Sequence, residues 1–90
     1  MKFVLTKHAL QKLETKESRV FEISRSKLET IINSGYMVAL PIGVIRVVGK
    51  FDSTHSLCVV YRLESNDIIR IITFFPAEKG RYESKILQRR

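Results

Sequence analysis

The chain has little cysteine, little glycine, few acids and no long hydrophobic run. Its one cysteine, Cys58, excludes an internal disulfide and a multi-cysteine zinc site. With only two histidines beside it and no close spacing among the three, a metal centre is not expected. Of the four glycines, Gly43 and Gly49 do not have the spacing of a phosphate-binding loop. No cofactor is expected, and no Ser/His/Asp order suggests acyl transfer. The longest apolar stretch, Tyr36–Ile45, is broken by Pro41 and Gly43, well short of the roughly 20 apolar residues a membrane-spanning helix needs. The N-terminal residues turn charged too early for a secretion signal, so a cytoplasmic location away from membranes is expected.

Acids are few beside bases. Nine Asp and Glu face sixteen Lys and Arg, a net charge of +7. Such an excess favours polyanionic partners: nucleic acid, an acidic protein or a phospholipid surface. It is concentrated in residues 1–35 and in the tail 78–90, each with an excess of three. Hydrophobic residues make up 44% of the chain and charged residues 28%, too apolar a composition for disorder. A single domain, residues 1–90, is expected. Its core should be small, since a chain of this size buries only about 60% of its unfolded surface.

Phe3-Val4-Leu5 reads as a short edge strand. Thr6 is placed to cap a helix starting at Lys7, with Leu5, Ala9 and Leu13 as its apolar stripe and Leu10 beside them. His8, Lys12 and Lys16 share a neighbouring face. Ser26 and Glu29 fit a capping box for a second helix, which buries Leu28, Ile31 and Ile32 and ends at Gly35 in a left-handed C-cap. Arg19–Ile23 fits a short strand or a turn extending either helix. Four strands follow: Tyr36–Leu40, Val44–Phe51, Leu57–Leu63 and Ile68–Phe75, the last stopped by Pro76. Their connections are too short for parallel crossovers, so antiparallel pairing is expected. Arg81–Gln88 fits a short helix or a tail.

The predicted fold is α+β. Two helices cover one face of a four-stranded antiparallel sheet, five-stranded if Phe3–Leu5 joins, in the order (β)ααββββ with a basic C-terminal tail. The second sheet face is expected to be free. Arg46, Lys50, Arg62 and Arg70 interrupt the apolar strands and, because buried charge is costly, should point to that face. Arg46 and Lys50 share a parity. Arg62 and Arg70 join them only if the hairpin registers cooperate, since a slip of one residue reverses the face. The result is either a basic face for a phosphodiester backbone or a set of ordinary solvated positions.

His8-Ala9-Leu10, then Ile45-Arg46-Val47-Val48-Gly49, Val59-Val60-Tyr61-Arg62 and Ile71-Ile72-Thr73-Phe74-Phe75-Pro76 occur in that order. Together they resemble an uncharacterised family of small single-domain proteins with a RelE/ParE-like toxin fold. Arg70-Ile71-Ile72-Thr73 with Arg81-Tyr82-Glu83 is similar to the ending of BrnT-type toxins. The resemblance spans roughly Thr6 to Tyr82. It implies two helices on a curved antiparallel sheet and membership of a superfamily that includes metal-independent ribonucleases. Catalysis itself is not implied, because that superfamily also holds toxins that do not cleave RNA. A toxin relative would also have an acidic antitoxin-like partner. The Ser18–Ile23 link is longer and more β-like than the resemblance implies.

Metal-free RNA cleavage needs a base for the 2′-hydroxyl, cations for the phosphorane and an acid for the leaving oxygen. His8 is the acid/base candidate because imidazole titrates near neutrality. Arg62 and Arg70 are candidates for phosphorane stabilisation through their guanidinium forks. Lys12, Arg46, Lys50, Thr73, Lys79, Arg81 and Tyr82 are candidate RNA contacts, Tyr82 by stacking or proton transfer. His55 reads as a solvent-facing turn residue and Cys58 as an inert core thiol. The leading expectation is an RNA-binding domain of toxin type with metal-independent endoribonuclease chemistry. The alternatives are a non-catalytic protein-interaction domain on the same fold and a DNA- or topoisomerase-directed toxin relative.

Overall fold

The computed structural model describes residues 1–78. Lys79, Arg81, Tyr82 and the predicted Arg81–Gln88 segment lie outside the described residues. The elements run β1 (Lys2–Leu5), α1 (Lys7–Leu13), α2 (Lys16–Val20), α3 (Arg25–Ser34), β2 (Tyr36–Ala39), a 3₁₀ turn (Pro41–Gly43), β3 (Val44–Lys50), β4 (His55–Leu63) and β5 (Ile68–Glu78). The fold is α+β; the described residues form three helices and a five-stranded sheet in the order β1-β5-β4-β3-β2.

Two parts of the expected architecture are corrected. The sheet is mixed, because β1 pairs parallel with β5, Leu5 lying opposite Ile71. The helices between β1 and β5 form part of the long crossover that parallel pairing requires. Among the described residues there are three helices, not two. Of the Arg19–Ile23 region, Arg19 and Val20 end the short α2 and Phe21–Glu22 form the turn that follows it; the α2 cap Thr15 accepts from Ser18 N at 3.2 Å. The Ser18 hydroxyl in turn donates to Lys12 O at 2.6 Å, which ties α2 back to the end of α1.

Thr6 caps α1 as its sequence predicts, accepting from Ala9 N at 3.1 Å. In α3 the cap is Ser24, which accepts from Lys27 N, so the helix starts before the predicted Ser26 box. Gly35 does not adopt a left-handed conformation; its φ of −83° and ψ of 177° are extended. Glycine is needed there for close approach. A Cβ would lie 2.7 Å from Val48 O and 2.8 Å from Ile31 O, and neither backbone oxygen can move aside.

The core joins Leu5, Ala9, Leu28, Ile31 and Ile32 to Val47, Leu57, Val59, Tyr61, Ile71 and Phe74. Leu10 is not part of it, being 51% exposed, because the inward stripe of α1 is carried by Ala9 with Leu13 partly buried. β5 runs through Pro76 to Glu78 instead of stopping. β1 pairs only as far as Ile71, so the rest of β5 lies at an edge, where a missing N–H is tolerated.

Leu28→Ala removes a fully buried side chain and is expected to cost about 2–5 kcal/mol in denaturant unfolding. Leu10→Ala is expected to change stability by less than about 0.5 kcal/mol, as at other exposed positions. Equal losses at the two sites would contradict this packing.

Candidate functional site

Strand register decides which side chains share the face away from the helices. Arg46 pairs with Val60, and Val60 with Thr73; Val44 pairs with Arg62, and Arg62 with Arg70. Lys50 lies two residues beyond Val48 on β3. On β5, however, Arg70 and Thr73 are three residues apart and would face opposite sides of a regular strand. A bulge resolves this. Val60 pairs with Thr73 but Tyr61 pairs with Ile71, leaving Ile72 as the extra residue. Arg46, Lys50, Arg62, Arg70 and Thr73 therefore lie on one face, opposite the side where Ile31 packs against Gly49.

This face is not free throughout, as the sequence had suggested. Val48 and Cys58 at its centre are fully buried. Lys50 and Arg62 are exposed, and Arg46, Arg70 and Thr73 are half-buried. Burial pushes the Cys58 thiol up to about 11, against the opposing charges of Arg46 and Lys12. The thiol thus stays protonated near neutrality and is a poor nucleophile.

Where β1 ends, α1 takes its place beside β5. Thr6 N donates to Ile71 O at 3.0 Å, and the Thr6 hydroxyl donates to Ile72 O at 3.1 Å, at the bulge. His8 and Lys12, one helical turn apart, then reach Thr73. Lys12 Nζ donates to Thr73 Oγ1 at 3.3 Å, and His8 Nε2 lies 3.4 Å from the same oxygen. The Lys12 ammonium also lies 5.5 Å from the Phe74 ring centre and 5.6 Å from that of Phe75. A hydroxyl has one proton and two acceptor positions. Thr73 can donate to a neutral His8 ring or accept from a charged one while keeping its bond from Lys12, so it accommodates both states of the imidazole.

Arg62 and Arg70 sit directly opposite each other across β4 and β5. Arg70 is already engaged, its Nε lying 2.5 Å from Glu64 Oε2. The hydrogen bond from Arg70, then the charges of Arg70 and Arg62, hold the Glu64 carboxyl below its ordinary range despite partial desolvation. Glu64, just past the predicted strand Leu57–Leu63, is the site residue that sequence reasoning missed. The available signal was a carboxylate and a guanidinium flanking one hairpin turn, where opposite charges meet across the strands.

His55 stands apart from this site. It lines a cleft of about 440 Å³ with Phe21, Lys27, Phe51 and Asp52. Its ring meets Phe21 edge-on at 5.0 Å, and Nδ1 lies 2.8 Å from Thr54 Oγ1. It is half-buried rather than a freely solvated turn residue. Among the described residues, no three His, Cys, Asp or Glu side chains cluster as metal ligands would.

The Glu64–Arg70 pair has a pH signature. The folded-state pKa of Glu64 is depressed, so the pair's contribution is present above the ordinary glutamate range and is lost as pH falls through the lowered value. In an NMR titration, Glu64 is expected to protonate below the ordinary glutamate range, and Arg70→Gln is expected to move it back up. An unchanged Glu64 midpoint in that variant would contradict the pairing. With this geometry in place, comparison with known proteins adds no relative: no protein family, curated protein or solved structure matched the chain.

Proposed function

We propose that this chain is an RNA-binding domain of RelE/ParE-like type that cleaves RNA without a metal ion. The observation that carries the reading is the meeting of His8 and Lys12 at Thr73, on the face that also bears Arg46, Arg62 and Arg70. Thr73 and Arg70 are separated by roughly 7 Å along the strand, two residues of rise, which suits a single phosphodiester between them. The parallel β1 and the extra helix α2 are departures from the architecture that the family reading implied.

In this reading Arg62 and Lys12 hold the phosphate, and their charge grows in worth as negative charge develops on the phosphorane. Thr73 fixes the His8 ring. His8 takes the proton from the 2′-hydroxyl, whose oxygen attacks the adjacent phosphorus as the P–O5′ bond breaks; a solvent water protonates the departing 5′-oxygen, and His8 returns its proton to solvent. The products carry a 2′,3′-cyclic phosphate and a 5′-hydroxyl. Arg70 contributes less than its position suggests, since Glu64 already neutralises it.

Binding is expected to be salt-dependent. For three or four phosphate contacts on a single strand, log affinity should fall with log salt at a slope of about −2 to −3. Glu64→Gln should strengthen binding by releasing Arg70. Cleavage should persist in chelator and fail on RNA with a 2′-deoxy residue at the cut site. His8→Ala should lower the rate by roughly 10²–10⁴ while leaving affinity largely unchanged. Arg62→Ala should reduce both rate and affinity, because a phosphate contact acts in the ground state as well. If diverse RNAs remain intact, alone and with ribosomes, the enzyme reading is wrong. If cleavage is unchanged in His8→Ala, the site assignment is wrong.

A further inference from the structure

The cleft that holds His55 takes no part in the RNA reading, and its lining is unlike the rest of this basic surface. Three rings wall it. The Phe21 and Phe51 centres are 6.0 Å apart with the rings tilted at 52°, and the His55 ring meets Phe21 edge-on. Of its charged side chains two are acids, Glu22 and Asp52, and one is a base, Lys27. On a chain of +7 this is a locally acidic spot. Its volume of about 440 Å³ is that of a small-molecule site. His55 shares the helix-side face of β4 with Leu57, and it pairs with Glu78. Glu78 is five residues beyond Thr73, which puts the cleft about 17 Å along β5 from the Thr73 hydroxyl and on the other face of the sheet.

Glu22 sets the chemistry of the cleft. It follows α2 with a φ of 55°. Glu22 N donates to Arg19 O at 3.1 Å and Ile23 N to Ser18 O at 2.8 Å. That bond pattern ends a helix with a left-handed residue, normally glycine or asparagine; a longer side chain is strained there. Among the described residues no hydrogen bond or ion pair engages the Glu22 carboxylate, so nothing local offsets the strain. Asp52 is already committed. Its Oδ1 accepts from Thr54 N at 2.8 Å and from His55 N at 2.6 Å, closing the turn into β4. Lys27 Nζ lies 5.2 Å from the Phe51 ring centre.

These contacts narrow the ligand. An organic cation would suit aromatic walls, but Lys27 already takes the Phe51 face and would repel it. A phosphate would meet one cation against two carboxylates. A flat, neutral ring fits, with adjacent N–H donors for Glu22 and an acceptor for Lys27. Among the nucleobases guanine has that edge, N1–H and N2–H beside O6. We propose that this cleft binds a guanine base against the Phe21, Phe51 and His55 rings, with N1–H and N2–H donating to the Glu22 carboxylate and O6 accepting from the Lys27 ammonium. The base belongs either to a free guanine nucleotide or to single-stranded RNA. None of these residues serves in the cleavage reading, so the inference does not rest on it.

The test is an NMR titration of the full chain with guanosine monophosphate, compared with the adenosine and inosine monophosphates. The guanine nucleotide should shift the Phe21 and Phe51 ring protons and the Glu22 amide. It should bind at least about tenfold more tightly than the adenine nucleotide, whose N1 cannot donate to the carboxylate. The inosine nucleotide, lacking the N2 amino group, should also bind more weakly. Glu22→Gln should weaken guanine binding. Glu22→Gly should weaken it too while raising the melting temperature through relief of strain, an opposition that loss of folding cannot produce. A uridine tetranucleotide carrying one guanosine separates the two sources. If it shifts the same rings with at least the affinity of the mononucleotide, the base is read in RNA; if only the mononucleotide shifts them, the ligand is the free nucleotide. The proposal is overturned if guanosine monophosphate leaves the Phe21 and Phe51 rings unshifted, if the adenosine or inosine nucleotide binds as tightly, or if both Glu22 variants bind it like the unaltered chain.

Discussion

One extra residue in β5 governs the arrangement of this protein's charged face. With Ile72 bulged opposite Val60, the alternation of β5 reverses, so Arg70 and Thr73 lie on one face while Ile71 and Phe74 remain in the core. The same bulge presents the Ile72 carbonyl to the Thr6 hydroxyl. Thr6 therefore does two things at once: it caps α1 and anchors the helix to the sheet where β1 stops. Through that anchor His8 and Lys12 arrive at Thr73. A regular β5 would send Thr73 to the helix side and leave His8 and Lys12 without the hydroxyl they share.

Scarcity of acid shapes the surface as much as abundance of base does. Where an acid does stand near the arginine pair, as Glu64 does, it neutralises Arg70 and leaves Arg62 as the more exposed cation. Where acids are missing altogether, between Thr30 and Phe51, β2 is apolar and its neighbour β3 carries Arg46 and Lys50. The two ends of the sheet thus differ in chemistry: hydrogen-bonding side chains gather beside β5, and unprotected backbone lies along β2.

Much of the fold was legible because it follows from local chemistry. The Thr6 cap, the Leu28–Ile31–Ile32 face and the three strands of the β3–β5 meander each depend on residues close together in sequence. What escaped depends on distant partners. Nothing in Phe3-Val4-Leu5 says that its neighbour is β5 or that the pairing is parallel. The stretch Lys16–Val20 is a single helical turn and a half, held by Thr15 and Ser18 hydrogen bonds rather than by an apolar stripe. Pro76 is a reliable strand breaker only inside a sheet, and edge position is a tertiary property. In the site, the parity of Arg46 and Lys50 could be read from sequence, but the common face of Arg70 and Thr73 could not, because a bulge leaves no clear mark on its residues. Gly35 was correctly singled out but for the wrong reason: it is there for close packing and not for a left-handed turn.

The RNA reading stands or falls on whether the bulge-built cluster meets a phosphodiester. An NMR titration of the full chain at low salt with a single-stranded, 2′-O-methylated oligoribonucleotide, which cannot be cleaved, addresses this residue by residue. The reading requires concerted shifts at the His8 ring, the Thr73 amide, the Lys12 ammonium and the Arg62 guanidinium, all weakening as salt is raised. Shifts confined to the β2 edge or to the His55 cleft, or no shifts at low salt, would contradict it.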